Sequence, residues 1–584
     1  MTFYTLLILL SIFLFLISGL LLIYNRGSLD GPYIKIPLLD SKIYYLAFLS
    51  LSLLTYYYLA YGIRPYIWFG VFSIYFVLSI INQSSQKQSH HNFVTYSVLF
   101  ISILITIIPI FQNNGIIFGP DQWRDLKITT QIIENGNFKD VGTSGYYSFL
   151  PLFNVINTVL TQITGWQPMN TFVIMQAVYS IISILGVYHI VELVSGRRDA
   201  SIIAIAIFLS TPRLSTVQSI PAVASISMGI FLVFFMIEIK PALLYLVPFI
   251  SFTTTVIHPI GIIPVTLAIL GILFIGSIFP SYKLGPKNES YLSLILTICI
   301  FVTIFYWSID SKVLTGVFSP LKRLINILTN LEYTPSVYTP QYTSQGFLIY
   351  AYSWAFPVSI TAIYFLNFLI NERKTPKAED RLKITYGIST STLALVMVML
   401  SFFSLILSPG ASLERYINVP AYLLMVFPST LIIGKLLGSG DKMTLTIIIL
   451  LLSTNIIIGT SSPNWAPFEN PAFGSYRSSY LGYQESRYII NTLPEGIRIY
   501  EDNDIPLYEL ADLENLNITK DQSYQTIRDV IQDFKTNEID LDNSRLQRSI
   551  VYLKTVEIED NELYNNINVL YNNGFHSGLR IYKK

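Results

Sequence analysis

The sequence predicts a mainly α-helical fold: a polytopic transmembrane helical bundle followed by a small C-terminal α/β domain. Of the 584 residues, 52% are hydrophobic and only 12% are charged, and the mean hydropathy of +0.52 exceeds that of soluble domains. Apolar segments long enough to cross a hydrocarbon core of about 30 Å recur up to about position 460. Beyond Ser461 the composition changes, because eighteen of the 36 acidic residues lie between Glu485 and the end.

Charge balance and cysteine content exclude several classes of protein. The 37 lysine and arginine residues nearly equal the 36 aspartate and glutamate residues, so there is no large basic field to hold nucleic acid. The single cysteine, Cys299, lies inside an apolar run, which excludes a disulfide framework and a cysteine-based metal site.

The apolar segments predict about fourteen spans, of which the first is a retained helix rather than a cleaved signal peptide. The first three spans lie within 1–92, and the other eleven lie within 93–460. The predicted spans are Phe3–Tyr24, Ile43–Tyr61, Ile63–Ile81, Phe93–Phe111, Thr171–Val194, Ala200–Thr211, Ser219–Ile239, Ala242–Ile257, Pro259–Phe279, Tyr291–Ile309, Phe347–Ile370, Ile384–Leu407, Tyr416–Leu437 and Met443–Gly459.

Lysine and arginine residues gather in alternate short loops, which predicts the orientation of the bundle because these residues stay preferentially in the cytoplasm. The loop with Arg197 and Arg198 and the dense run from Arg373 to Lys383 belong to this set. The opposite set contains two long outer loops, 112–170 and 310–346. We therefore expect both loops and the tail, 461–584, to be extracytoplasmic.

The tail is predicted to be a small soluble α/β domain. Its apolar patterns indicate strands at Ile497–Glu501, Ser549–Thr555 and Leu579–Tyr582, and helices at Gln484–Thr492 and near Asn561–Tyr571.

An acidic motif opens the first outer loop, Gly119-Pro120-Asp121-Gln122-Trp123-Arg124-Asp125. Asp121 can cap a helix that continues through Ile133, and Asp121 and Asp125 are then four residues apart on one face. One interpretation is structural, with an N-cap and a second carboxylate favoured by the helix dipole. The other is an acid or base at a lipid–water boundary, where partial desolvation raises the basicity of a carboxylate.

An aromatic–proline stretch, Tyr146 to Phe153, begins an apolar segment that ends near Trp166. We expect this segment to lie in the membrane interface. Tyrosine and tryptophan gather at headgroup depth for amphipathic reasons alone, so a membrane belt explains these aromatics equally well.

Ionisable residues follow or precede spans at the predicted outer face: Arg213, His258, and the pair Glu414 and Arg415. Each is explained individually as a snorkelling or loop residue. Together they would suit an anionic lipid headgroup, because arginine can bind a phosphate bidentately and histidine can add a hydrogen bond or a charge.

The absence of two motif classes narrows the function further. The sequence has neither a Walker-type loop nor a zinc-protease motif, and few charged residues interrupt its spans. A nucleotide-driven pump and an ion-coupled transporter are therefore disfavoured.

With these pieces in this order, the sequence resembles the GT-C superfamily of integral membrane glycosyltransferases, from about Phe93 to the end. The resemblance implies that 93–460 is a transmembrane catalytic core and that the spans within 1–92 are additional N-terminal helices. The resembling pieces are the acidic motif, the aromatic–proline stretch, the span ending in Ser210-Thr211-Pro212, His258-Pro259, Glu414-Arg415-Tyr416, and the start of the tail with Asn491-Thr492-Leu493-Pro494-Glu495-Gly496. Members of this superfamily take a sugar from a polyprenyl-phosphate carrier such as dolichyl phosphate.

The resemblance implies a role for each candidate residue. Asp121 would be the catalytic base of an inverting transfer, and Asp125 would assist it. The donor phosphate would be held by Arg415, His258 and Arg213. The acceptor or sugar would be bound by Trp123, Tyr146, Tyr147 and Glu414.

Two departures from the superfamily narrow the expected reaction. The tail lacks the Trp-Trp-Asp-type motif of oligosaccharyltransferases, and Asp121 and Asp125 are spaced more widely than their metal-binding acidic pair. We therefore expect transfer of a monosaccharide without a cofactor or metal.

The sequence thus predicts a multi-pass glycosyltransferase of the cell envelope, which uses a polyprenyl-phosphate-linked sugar and a glycan, lipid or protein acceptor. Two alternatives remain open. A lipid-linked glycan flippase would share the spans and the phosphate site without needing Asp121, and an inactive scaffold of the same fold would need neither Asp121 nor Arg415.

Overall fold

The computed structural model describes most of the helical region and four strands of the tail. The described residues are 41–61, 66–84, 91–112, 120–137, 151–210, 221–238, 240–309, 344–371, 381–407, 413–437, 442–460, the four strands, and five positions between 13 and 20. The chain divides into two compact units, of which the first comprises Met1–Gln112, Thr143–Phe153 and Ile174–Gly474. The second comprises Asn113–Gly142, Asn154–Val173 and Ser475–Lys584.

The described part of the chain before position 461 is helical. Its first eight helices are α1 (Ser41–Tyr61), α2 (Tyr66–Ser84), α3 (His91–Gln112), α4 (Pro120–Asn135), α5 (Leu152–Thr164), α6 (Pro168–Ser195), α7 (Arg198–Ser210) and α8 (Pro221–Glu238). The next seven are α9 (Val247–Ile257), α10 (Ile262–Ile278), α11 (Pro286–Ile309), α12 (Ser344–Asn371), α13 (Arg381–Leu407), α14 (Leu413–Leu437) and α15 (Lys442–Thr460). Each predicted apolar segment from Ile43 onwards overlaps one of these helices, and the segments that begin at Ala242 and Pro259 start in the 3-10 turns Pro241–Tyr245 and Pro259–Gly261. The predicted span Phe3–Tyr24 lies largely outside the described residues.

Apolar composition and length identify the chain as a multi-pass membrane protein. Among the described residues, α3, α6, α8 and α11 are long and apolar enough to cross a membrane. Shorter apolar helical segments lie at Ile67–Gln83, Val247–Ile257, Ile262–Ile278, Ala355–Ile370, Ile384–Leu400, Leu423–Leu437 and Thr446–Ile458. The count of fourteen spans and the outward orientation stay predictions.

Helix α7, predicted as a span, is a short helix enclosed by other helices. It has 13 residues and is buried from Asp199 to Ser210, and at 1.5 Å per residue it extends only about 20 Å. It packs against α2, α3, α14 and α15. At its end the Ser210 hydroxyl donates to Asn455 Oδ1 of α15 at 2.6 Å. This helix therefore joins the N-terminal helices to the last two helices of the bundle.

A dense contact joins α8 to the turn between α9 and α10. The Ser225 hydroxyl of α8 donates to the carbonyl oxygen of His258, lies 3.2 Å from that of Thr254, and accepts the Gly261 N–H at 3.1 Å. A Cβ on Gly261 would collide with the Ser225 backbone carbonyl, and one on Gly229 would collide with the Gly261 carbonyl. Both glycines are thus required by the close approach of two backbones.

The tail contains β1 (Arg498–Glu501), β2 (Ser549–Lys554), β3 (Ile567–Asn572) and β4 (His576–Ile581), in the order β1-β2-β4-β3. β1 is parallel to β2, and β4 is antiparallel to both β2 and β3. The helix expected near Asn561–Tyr571 is wrong over β3, where Ile567, Val569 and Tyr571 alternate before an Asn-Asn-Gly sequence typical of a hairpin. The helix predicted at Gln484–Thr492 lies outside the described residues, so the α/β class of the tail stays a prediction.

We expect Gly261→Ala to destabilise the protein by about 1–3 kcal/mol, the usual cost of overpacking, because its Cβ meets backbone that cannot move aside. Gly434→Ala in α14 is the matched control, since nothing lies within 4 Å of its Cβ position. Thermal unfolding in detergent, followed by tryptophan fluorescence, should show a lowered midpoint for Gly261→Ala alone. Equal midpoints for both variants and the wild type would contradict the close packing of this turn.

Candidate functional site

The acidic motif forms the first turns of α4. The helix begins at Pro120, whose fixed φ suits the first helical position, so Asp121 lies inside the first turn rather than at the N-cap. Asp125 follows one turn later on the same face. Gln122, Asp125 and Thr129 are all buried, and their spacing places them along one side of the helix.

Asp125 is a fully buried carboxylate with a cation beside it. Nη2 of Arg124 lies 3.4 Å from both carboxylate oxygens, and the Arg124 side chain is partly exposed. A buried carboxylate without a compensating charge would be strongly unfavourable. Arg124 therefore supplies a compensating charge beside the buried Asp125 carboxyl group.

Helix α5 presents a buried polar side to α4. Asn154, Asn157, Thr158 and Thr161 follow the i, i+3, i+4, i+7 spacing of one helix face, and all four are buried. Thr129 Oγ1 donates to Asn154 Oδ1 at 3.3 Å, and Thr158 Oγ1 donates to the Thr129 carbonyl at 3.4 Å. We call the buried polar residues Gln122, Asp125, Thr129, Asn154, Asn157 and Thr158 the α4–α5 seam.

The opposite side of α5 is apolar and exposed. Ile163 is 76% exposed, and Val159 and the following Trp166 are also exposed. This is the reverse of a helix on a water-soluble protein, which buries its apolar side and exposes its polar side. The arrangement supports the expectation that this segment lies in the membrane interface, with lipid against the apolar side.

A nitroxide at Ile163 should therefore be accessible to molecular oxygen and shielded from a water-soluble nickel chelate when the protein is in bilayers. Asn137, exposed just beyond α4, provides the control and should give the opposite preference. Both labels require a Cys299→Ser background, because Cys299 is the single native thiol. Preferential nickel accessibility at Ile163 would contradict the lipid contact.

His258 is buried at the turn that follows α9, and its ring contacts its own backbone. Its Nδ1 accepts the Ile260 N–H at 3.2 Å, and its own N–H donates to the Thr254 carbonyl at 3.0 Å. A ring nitrogen that accepts a hydrogen bond carries no proton, so this contact favours the tautomer with the proton on Nε2. Of the two possibilities for this residue, a hydrogen bond or a charge, this geometry favours the hydrogen bond.

Two substitutions should separate the two nitrogens of His258. Asparagine places an acceptor near the position of Nδ1 and keeps the contact to Ile260, whereas glutamine places a donor near Nε2. If Nε2 serves the donor phosphate, His258→Gln should retain more donor affinity than His258→Asn, while His258→Asn should retain more thermal stability. Equal donor affinity in both variants and the wild type would remove His258 from the site.

The other predicted residues are placed only in part. Arg213, Tyr146 and Tyr147 lie outside the described residues. The backbone places Trp123 in the first turns of α4 and places Glu414 and Arg415 in the first turn of α14. The α4–α5 seam lies in the second unit and His258 lies in the first, and their assembly into one site stays a prediction.

The polar face of α5 is the main feature that the sequence interpretation missed. The aromatic residues alone predict a membrane belt here, and that interpretation gives Asn154, Asn157 and Thr158 no role. Their helical spacing was readable in the sequence, but only the exposed apolar side in the structure shows that the polar side is the buried one.

Among the described residues, no group of three or more histidine, cysteine, aspartate or glutamate side chains is arranged to hold a metal ion. The expectation that the reaction needs no metal stays a prediction.

Neither a protein-family model nor a curated protein matches the sequence. The chain is similar to solved structures at low identity. One of them is ArnT from Cupriavidus metallidurans bound to undecaprenyl phosphate, which is 12% identical to this chain. The alignment covers 84% of this chain and 98% of the ArnT chain, with a TM-score of 0.39. The same protein in the apo state has the same identity and coverage, with a TM-score of 0.37.

Proposed function

We propose that this protein is a membrane glycosyltransferase that moves one sugar from a polyprenyl-phosphate carrier to a glycan, lipid or protein acceptor at the non-cytoplasmic face. Besides the sequence resemblance, the buried seam between α4 and α5 is the main observation that supports this function. An acidic helix, α4, shares a buried polar seam with a helix whose outer side suits lipid. A reaction between a lipid-borne donor and a polar acceptor needs such a boundary.

The reaction follows from the chemistry of the donor. Asp121 removes the proton from the acceptor hydroxyl while the acceptor oxygen attacks the anomeric carbon. The bond from that carbon to the phosphate oxygen breaks, and polyprenyl phosphate leaves with the electron pair. Attack opposite to the leaving group inverts the anomeric centre.

Asp125 has a different task from Asp121. It is fully buried and lies beside Arg124 within the α4–α5 seam, so it acts as a positioning residue that fixes the first turns of α4. Asp121 lies one turn nearer the helix start, where a carboxylate is favoured by the helix dipole.

The leaving phosphate needs charge stabilisation more than it needs a proton. We assign this role to Arg415 and Arg213, which can donate bidentately, and to His258 through its Nε2–H. Trp123, Tyr146, Tyr147 and Glu414 are assigned to the sugar or the acceptor. No metal is required by this assignment.

Asp121→Asn should lower turnover by roughly 10²- to 10⁴-fold at matched folded protein, because it keeps the size of the side chain and removes the base. Glu134→Gln, an exposed carboxylate on the same helix, is the control and should leave turnover unchanged. The measurement is sugar release from radiolabelled polyprenyl-phosphate sugars by purified protein with an acceptor extract. Full turnover by Asp121→Asn would exclude it as the base, and no release by the wild type would favour the flippase or the scaffold.

A further inference from the structure

Helices α6 and α8 are held together by buried hydroxyl groups. Ser183 and Ser227 lie 2.9 Å apart through their Oγ atoms, and Ser227 Oγ lies 3.2 Å from the carbonyl oxygen of Tyr179. Gly186 of α6 adds to the close approach, because a Cβ there would collide with the side chain of Ile230. The backbone at Tyr179 is therefore fixed against a neighbouring helix.

The Tyr179 side chain is buried against the end of the aromatic–proline stretch. It is 1% exposed, and its ring is tilted at 33° to that of Phe153, with the centroids 6.5 Å apart. Its hydroxyl is buried and has no hydrogen-bond partner within the described part of the chain.

Tyr75, another buried tyrosine of the bundle, differs from Tyr179 because its hydroxyl has hydrogen-bond partners. The hydroxyl of Tyr75 in α2 donates to Ser97 Oγ at 2.9 Å, and Tyr44 donates to Tyr75 at 3.2 Å. A hydroxyl buried in a helical bundle without a partner loses its hydration and gains nothing in return. Phenylalanine would fill the space of Tyr179 without this loss. We therefore look for the hydrogen-bond partner of this hydroxyl in a bound molecule.

We infer that the Tyr179 hydroxyl donates a hydrogen bond to the phosphate of the polyprenyl-phosphate carrier. The inference rests on the proposed function and adds a donor-binding residue to it. An ionised acceptor forms a shorter and roughly twice stronger hydrogen bond than a neutral one, and the gain is greatest in a low dielectric. The ring of Phe153 packs near that of Tyr179 and makes this region apolar.

Tyr179→Phe tests the inference because it removes one oxygen atom and nothing else. Without ligand the variant should unfold at the same temperature as the wild type or higher, since a buried unpartnered hydroxyl is lost. With polyprenyl monophosphate in nanodiscs it should bind about tenfold or more weakly, the effect of one hydrogen bond to a charged group.

Tyr75→Phe is the matched control. It also removes one buried tyrosine hydroxyl from the bundle, but one with partners. It should lower the unfolding temperature and leave the affinity for polyprenyl monophosphate unchanged. Polyprenol, which lacks the phosphate, should bind equally to both variants and to the wild type.

Each other outcome overturns the inference. Wild-type affinity in Tyr179→Phe would show that the hydroxyl does not reach the carrier, and a lowered unfolding temperature without ligand would show that it already has a partner in the protein. An equal loss of polyprenol binding would exclude the phosphate as the acceptor. Failure of the wild type itself to bind polyprenyl monophosphate would instead refute the proposed function, which is a separate result.

Discussion

The structure depends on one constraint: polar groups buried among apolar helices must find partners on neighbouring helices. Ser210 meets Asn455, Ser225 meets the His258 turn, and Thr129 meets Asn154. Each such bond between membrane helices contributes only about 0.6 kcal/mol on average, but leaving the group without a partner costs more. The positions of the helices are therefore set by where these polar groups can be satisfied.

The same constraint shapes the proposed chemistry. The seam between α4 and α5 keeps a carboxylate inside the protein by giving it Arg124, and the outward apolar side of α5 suits contact with lipid. At the other cluster, the Ile260 N–H occupies Nδ1 of His258 and leaves Nε2 to carry the proton. Groups that could serve an anionic donor are thus oriented by local backbone contacts before any ligand binds.

The sequence predicts the helices well because apolar runs are local features, but the N-cap role predicted for Asp121 is not met, since the helix begins at Pro120. The sequence predicts poorly which helices and strands pack against each other. α7 is an apolar run like the others, and only its length and its neighbours show that it is enclosed. The segment predicted as a helix near Asn561–Tyr571 forms strand β3 instead, since pairing with β4 decides its conformation. The inward polar side of α5 and the unpartnered hydroxyl of Tyr179 depend on three-dimensional packing, which spacing alone does not determine.

The central claim is that the protein breaks the bond between a sugar and its lipid phosphate. The most direct measurement is mass spectrometry of lipids extracted from proteoliposomes that contain wild-type protein, a polyprenyl-phosphate sugar and an acceptor extract. We expect the sugar-linked lipid to fall while free polyprenyl phosphate rises by an equal amount. Unchanged amounts of both lipids would contradict this reaction and favour the flippase or the scaffold.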